Sequence, residues 1–210
     1  MTGKTVAIVG PSSCVVGSGF GKAIESHDLV ARINHQWPIK KELENDLGSR
    51  MDLLFHCCNG DFPIRRMFVA GFESVQHICF ENNTDAEELR RHCQSMKIPT
   101  ENLSWRYRAL TAELGTPPNT GLVAICHLLD LPIVRLGLFG ITFFKESYYH
   151  GYLGDGAKDP SWQNTAEQPE RIWQHDLKKQ FTFFTTLANL DPRIQIDSRS
   201  MNVMQIGPRA

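Results

Sequence analysis

Apolar and polar residues fall into blocks whose period changes along the chain. Thr5–Gly10 (TVAIVG) is a short β-branched run, the pattern of a strand buried on both faces. Pro11–Gly21 is rich in Gly and Ser, which predicts a loop that brings its backbone close to another group. Gly21–Ser26 reads as a short helix and Asp28–Asn34 as a second apolar strand. Lys40–Leu47 is charged and predicts a surface helix or loop, and Arg50–Cys58 a third strand. Asn59-Gly60 signals a turn, Pro63–Ala70 a helix with Pro in its first turn, and Ser74–Phe80 a strand. Thr84–Met96 reads as a helix opened by the capping box Thr84-x-x-Glu87. A helix is predicted around Trp105–Leu110, and a stronger one runs to Leu129, capped by Asn119 or Thr120. Val134–Ile141 is then a strand, and residues 142–166 are irregular, which in a compact domain points to a functional or mobile loop. Glu167–Leu190 reads as one long helix, Arg193–Asp197 as a last strand, and the tail to Ala210 has no clear pattern.

Strands that alternate with helices predict a three-layer α/β/α Rossmann-like sandwich with a mostly parallel sheet, here as one domain over residues 1–210. Charge narrows the function: 22 basic residues against 23 acidic ones give no electrostatic case for nucleic-acid binding. No apolar run approaches the ~20 residues of a membrane span, and the N-terminus enters a strand without a signal-peptide pattern. The six cysteines, Cys14, Cys57, Cys58, Cys79, Cys93 and Cys126, show no zinc spacing and no C-x-x-C pair. They read as reduced structural thiols of a cytoplasmic protein, at most peripheral to the inner face of a membrane.

The glycine-rich loop carries the chemistry. Val16 and Ala23 break a Walker A match around Gly21-Lys22, and Gly17, Gly19 and Gly21 give G-x-G-x-G rather than a dinucleotide fingerprint. The ordered set Val9-Gly10-Pro11-Ser12, Gly17-Ser18-Gly19-Phe20-Gly21, Ile24-Glu25-Ser26-His27-Asp28 and Val30-Ala31-Arg32-Ile33-Asn34 resembles the large sialyl motif of the sialyltransferases, glycosyltransferase family 29. Asp46-Leu47-Gly48-Ser49-Arg50 resembles the family's D-x-G-x-[RK] segment. Pro118-Asn119-Thr120-Gly121, followed by an apolar helix and a strand ending Leu138-Phe139-Gly140-Ile141, resembles the small motif. Ser147-Tyr148-Tyr149-His150 resembles the third motif. His175, followed five residues later by Gln180 where the family has Glu, resembles the last one.

The resemblance implies a GT-A-like variant of the fold and a metal-independent transferase. Its donor would be a CMP-activated acidic keto-sugar of sialic-acid type, and its acceptor a hydroxyl of a glycan or glycolipid, as in polysaccharide biosynthesis. Gly10, Ser12, Ser13 and Asn34 would hold the nucleotide. Asn119, Thr120, Gly121 and Gly140 would line the donor's anionic groups, and His150 would contact the leaving phosphate. His175 would be the base, with Asp176 or another carboxylate standing in for the missing Glu. No D-x-D triplet occurs, so no metal or other cofactor is expected. Val6 and Leu129 occupy the positions of the disulfide found in many animal members; a Cys14–Cys126 bridge is the one substitute to check. Two other readings stay open: a transferase using CMP-Kdo, and a nucleotide-binding protein without transfer activity, which would suit the two departures from the family pattern, Pro11 in place of its Asn and Gln180 in place of its Glu.

Overall fold

The computed structural model describes residues 1–58, 77–80, 86–152, 171–172 and 175–207. Its centre is a seven-stranded sheet of β1 (Thr5–Val9), β2 (Leu29–Ile33), β3 (Leu53–His56), β4 (His77–Phe80), β5 (Thr100–Asn102), β6 (Arg135–Phe139) and β9 (Ile194–Ile196). The spatial order is β5-β4-β3-β2-β1-β6-β9, and every pairing is parallel. Between the strands run α1 (Gly21–Glu25), α2 (Glu44–Leu47), α3 (Ala86–Met96), α4 (Ser104–Leu114), α5 (Thr120–Leu129) and α6 (Leu177–Leu190). The α/β sandwich is the one the block pattern predicts. The Asn59-Gly60 turn, the Pro63–Ala70 helix and the Thr84 capping box lie outside the described residues.

The continuous apolar runs of β1 and β2 follow from burial on both faces, the usual state of a parallel sheet. Val6, Ile8, Ala31, Ile33, Leu53 and Phe55 point to one face, where Leu122, Ile125, Leu128 and Leu129 of α5 and Phe184 of α6 cover them. Ala7, Val9 and Val30 point to the other, against Val15, Ile24, Leu47, Tyr149 and Tyr152. Each buried Val, Leu or Ile contributes ~1.5–3 kcal/mol relative to exposure. Val6 and Leu129 meet in the first cluster, so packing links sheet and helix there.

Two expectations are corrected, and the one bridge left to check is excluded. The stretch from Glu167 to Leu190 is not one helix: β7 (Arg171–Ile172) and β8 (His175–Asp176) pair antiparallel, and α6 begins only at Leu177. Asp176 stops the helix from extending backwards. It sits at φ −83°, ψ 100°, and its carboxylate accepts from Lys179 N–H at 3.0 Å. His175 therefore stands on a strand beside the helix start. The tail does carry a helix, α7 (Ser198–Met204), capped by Asp197. Only Ser200 and Met204 of it are buried, which leaves no apolar stripe to read. A Cys14–Cys126 bridge is excluded by the sheet itself: Cys14 packs on one face and Cys126 on the other. All six cysteines are free.

Candidate active site

From β1 the sheet grows through β2 to β5 on one side and through β6 and β9 on the other. A parallel sheet opens a crevice beyond the strand ends at such a reversal. Gly10 follows β1 there and Gly140 follows β6. Gly10 N–H donates to Phe139 O at 2.6 Å, and Ser12 N–H to Gly140 O at 3.2 Å. A Cβ on Gly10 would collide with Gly140 O and Ile141 Cδ1, and Gly140 has φ +66°, a left-handed value. Gly10→Ala should therefore cost ~1–3 kcal/mol by forced displacement of the strand ends; a thermal melt unchanged from wild type would refute this packing.

The first loop is laced to its surroundings. Ser13 N–H donates to Ser147 O at 2.7 Å, Tyr149 N–H to Pro11 O at 2.9 Å, and Ser12 and Tyr148 form an antiparallel bridge. Ser12 is 2% exposed. Its hydroxyl caps the short turn at Ser13–Val15, accepting from Cys14 N–H at 3.4 Å. Ser13 is half-buried with Oγ 3.4 Å from Ser147 Oγ, and His150 is exposed in the turn that follows the bridge. The glycines face a carboxylate of the chain's own: Gly17 and Gly19 N–H donate to the two oxygens of Asp46, each at 2.7 Å. Arg32, fully buried, donates to Leu47 O, Gly48 O and Arg50 O, so the D-x-G-x-R segment is a buckle under the loop.

α7 completes the frame, and sequence reasoning missed its role. Asp197 Oδ2 accepts from Gly140 N–H at 3.0 Å, and Ser200 Oγ from the same group at 3.1 Å. Arg199 donates to Cys14 O, Val16 O and Gly17 O at 3.2, 2.8 and 2.5 Å. The N-cap pattern Asp197-Ser198-Arg199-Ser200 was the available signal.

Asn34 ends β2 at φ +50° and is 7% exposed. Its Oδ1 accepts from Cys57 N–H at 3.0 Å, which ties the ends of β2 and β3. Next to it, His56 is 1% exposed; its Nδ1 accepts from Cys58 N–H at 2.9 Å, so the proton sits on Nε2. Burial pushes the His56 pKa down to about 3.

α5 starts on the other lip of the crevice. Asn119 Oδ1 accepts from Leu122 N–H at 2.9 Å, which settles the cap between the two candidates. Thr120 and Gly121 N–H make no hydrogen bond among the described residues. Gly121 lies against Ile33 and Ile141, so the helix start adjoins the ends of β2 and β6. Two free amides at the positive end of a helix suit a phosphate or carboxylate.

His175 is anchored to the same segment. Its Nδ1 lies 2.9 Å from Pro117 O, and since a carbonyl only accepts, the proton is on Nδ1 and Nε2 carries the lone pair. Burial lowers the His175 pKa, against a smaller opposing effect of that hydrogen bond. Gln180 is fully buried, accepts from Asn119 N–H at 2.9 Å and donates to Pro117 O at 3.1 Å. A carboxylate could not make that second bond. The orienting partner of His175 is thus a backbone carbonyl held by Gln180; Asp176, expected as a substitute carboxylate, spends its side chain on the cap of α6. Gly10, Ser12, Ser13, Asn34, Asn119, Thr120, Gly121 and Gly140 thus gather around one crevice, with His175 tied to its lip and His150 on the surface beyond.

The sequence profile of glycosyltransferase family 29 (sialyltransferase) matches residues 2–108, just over half of the chain. The chain belongs to glycosyltransferase family 29. A family-29 chain is a CMP-sugar-dependent glycosyltransferase. No curated protein sequence matches it. Its fold is similar to that of a mammalian sialyltransferase in complex with Gal-beta-1-3GalNAc-ortho-nitrophenol, with TM-score 0.61, 18% identity, and coverage of 93% of this chain and 69% of that one. It is also similar to the sialyltransferase CstII from Campylobacter jejuni in complex with cytidine-5'-monophosphate, with TM-score 0.58, 12% identity, and coverage of 93% and 80%. No helix among the described residues is long and apolar enough to cross a membrane.

Proposed function

We propose that this family-29 chain, acting as one domain, transfers a sialic-acid-like keto-sugar from CMP to a glycan hydroxyl, with His175 as general base. His175 Nε2 takes the acceptor's proton. The acceptor oxygen bonds to the anomeric carbon, and the bond from that carbon to the CMP phosphate breaks. Thr120 and Gly121 N–H receive the charge that develops on the phosphate, a stabilisation that needs no metal. Asn119 positions those amides. Gly10, Ser12, Ser13, Asn34 and Gly140 shape the nucleotide side, and His150 reaches the phosphate from the turn. The observation that carries this reading is the His175–Pro117 hydrogen bond, which fixes a basic nitrogen two residues from the α5 cap. The donor class rests on the family and on the CMP bound to the Campylobacter protein of like fold.

A site built for CMP binds it without the sugar. CMP and CDP should raise the melting temperature more than UMP or GMP at equal concentration. At one hundred times Kd a ligand adds ~2.7 kcal/mol. Equal shifts for all four nucleotides, or none, would count against the donor assignment.

A further inference from the structure

Cys79 on β4 and Glu101 on β5 are direct partners in the parallel ladder. Side chains at paired positions leave the sheet on the same face. That face lies under α5, and His127 reaches it from the last turn of that helix. The Cys79 thiol, a Glu101 carboxylate oxygen and a His127 ring nitrogen all lie within 4.8 Å of one another. His127 Nε2 is 3.6 Å from Glu101 Oε2. Cys79 and His127 are buried and Glu101 is partly exposed, so the cluster has one side toward solvent. Phe55 packs edge-on to the His127 ring, with centroids 6.0 Å apart, and holds it in place.

Sulfur, imidazole nitrogen and carboxylate oxygen form a zinc-type donor set. Ligand atoms around tetrahedral zinc stand ~3.3–3.6 Å apart, given Zn–S of ~2.3 Å and Zn–N or Zn–O of ~2.0–2.1 Å. His127 Nε2 and Glu101 Oε2 already stand at that spacing, 3.6 Å apart, and with all three atoms within 4.8 Å the Cys79 thiol needs at most about 1 Å of side-chain adjustment to join them. A thiolate and a carboxylate together carry two negative charges, which a divalent cation neutralises. We propose that Cys79, Glu101 and His127 bind one zinc-class divalent cation, with water as fourth ligand on the Glu101 side. Upon binding, the thiol proton passes to solvent and a metal–sulfur bond forms, without redox change.

The role of this site is structural. His127 lies seven residues into α5, about 10 Å along the axis from the free amides at its start, so the ion stands apart from the transfer chemistry. β5 has three residues and, among the described residues, is the sheet edge with β4 as its one strand neighbour. The ion would clip this edge to α5.

The test is a titration of full-length, chelator-treated protein with Zn²⁺ against a chromophoric chelator, and with Co²⁺ read by absorbance. The expected result is one equivalent bound with micromolar or tighter affinity, a thiolate-to-cobalt charge-transfer band, and a melting temperature several degrees higher with Zn²⁺. Cys79→Ser should lose the band. Glu101→Gln, at a partly exposed position that should leave folding intact, should weaken binding ~10–100-fold, as loss of a metal-site contact does. Absence of a saturable equivalent in the wild type, a band that survives Cys79→Ser, or unchanged affinity in Glu101→Gln would each overturn the proposal.

Discussion

His175→Ala should lower kcat by ~10²–10⁴, the usual contribution of a positioned general base, while CMP affinity stays within about twofold. The base acts on the acceptor in the transition state, so its loss leaves nucleotide binding alone. The geometry adds a control that separates chemistry from support. His175→Asn retains a side-chain N–H that can donate to Pro117 O but has no basic nitrogen. It should keep wild-type melting and be as slow as the alanine variant. The pH profile carries the same assignment. Burial holds the His175 pKa below its ordinary value, so the ring is neutral at pH 7. Protonation as pH falls removes the base, and the acid limb of kcat/KM should lie below ~6.5, the ordinary histidine value. An alanine variant with full activity, or an asparagine variant with most of it, would move the base elsewhere.

Stability should fall progressively as pH drops below ~6.5, and the buried His56 is one cause. Its folded pKa is about 3 because burial disfavours the cation, against ~6.5 in an unfolded chain. The unfolded state therefore binds the proton first. The stabilisation is complete above ~6.5 and is lost as pH falls toward about 3. At 1.36 kcal/mol per unit the full difference is on the order of 4–5 kcal/mol, a large share of the 5–15 kcal/mol that holds a typical domain. His27 and His175 are also lowered, chiefly by burial, and act in the same direction. His56→Asn keeps an acceptor for Cys58 N–H and removes the titration. Denaturant unfolding at pH 7, 6 and 5 should give a clearly flatter decline for the variant. Equal slopes in the two proteins would remove His56 from the account.

The parts of this molecule that were legible in its sequence are local ones. Val6–Val9 and Leu29–Ile33 announce strands because both faces are buried and no polar residue interrupts the period. Arg32 is the exception, and its hydrogen bonds to three carbonyls explain its presence. The start of α5 was legible as a cap at Asn119 or Thr120, and the hydrogen bond from Leu122 N–H decides for Asn119. What escaped notice depends on distance in the chain. Gly17 and Gly19 announce only a loop whose backbone approaches another group, and that group is Asp46, more than twenty residues on. Gln180 looks like a defect in a histidine-glutamate motif until Pro117 O and Asn119 N–H appear around its amide. Arg199 and Asp197 belong to a segment with almost no apolar pattern, yet they hold the two strand ends that form the crevice. The Cys79–Glu101 pairing needs the strand order, which spacing alone does not reveal.

The central claim is transfer from a CMP-activated acidic keto-sugar by a metal-independent His175 mechanism. Its most direct test is a mass-spectrometric assay with CMP-sialic acid and a panel of glycan acceptors, in excess EDTA and below the melting temperature of the chelated protein. The account predicts CMP released in step with a sialylated product, and neither from His175→Ala. Turnover restored only by magnesium or manganese would contradict the metal-independent mechanism. Product formed from CMP-Kdo but not from CMP-sialic acid would contradict the donor, and CMP bound with no turnover of either donor would contradict transfer itself.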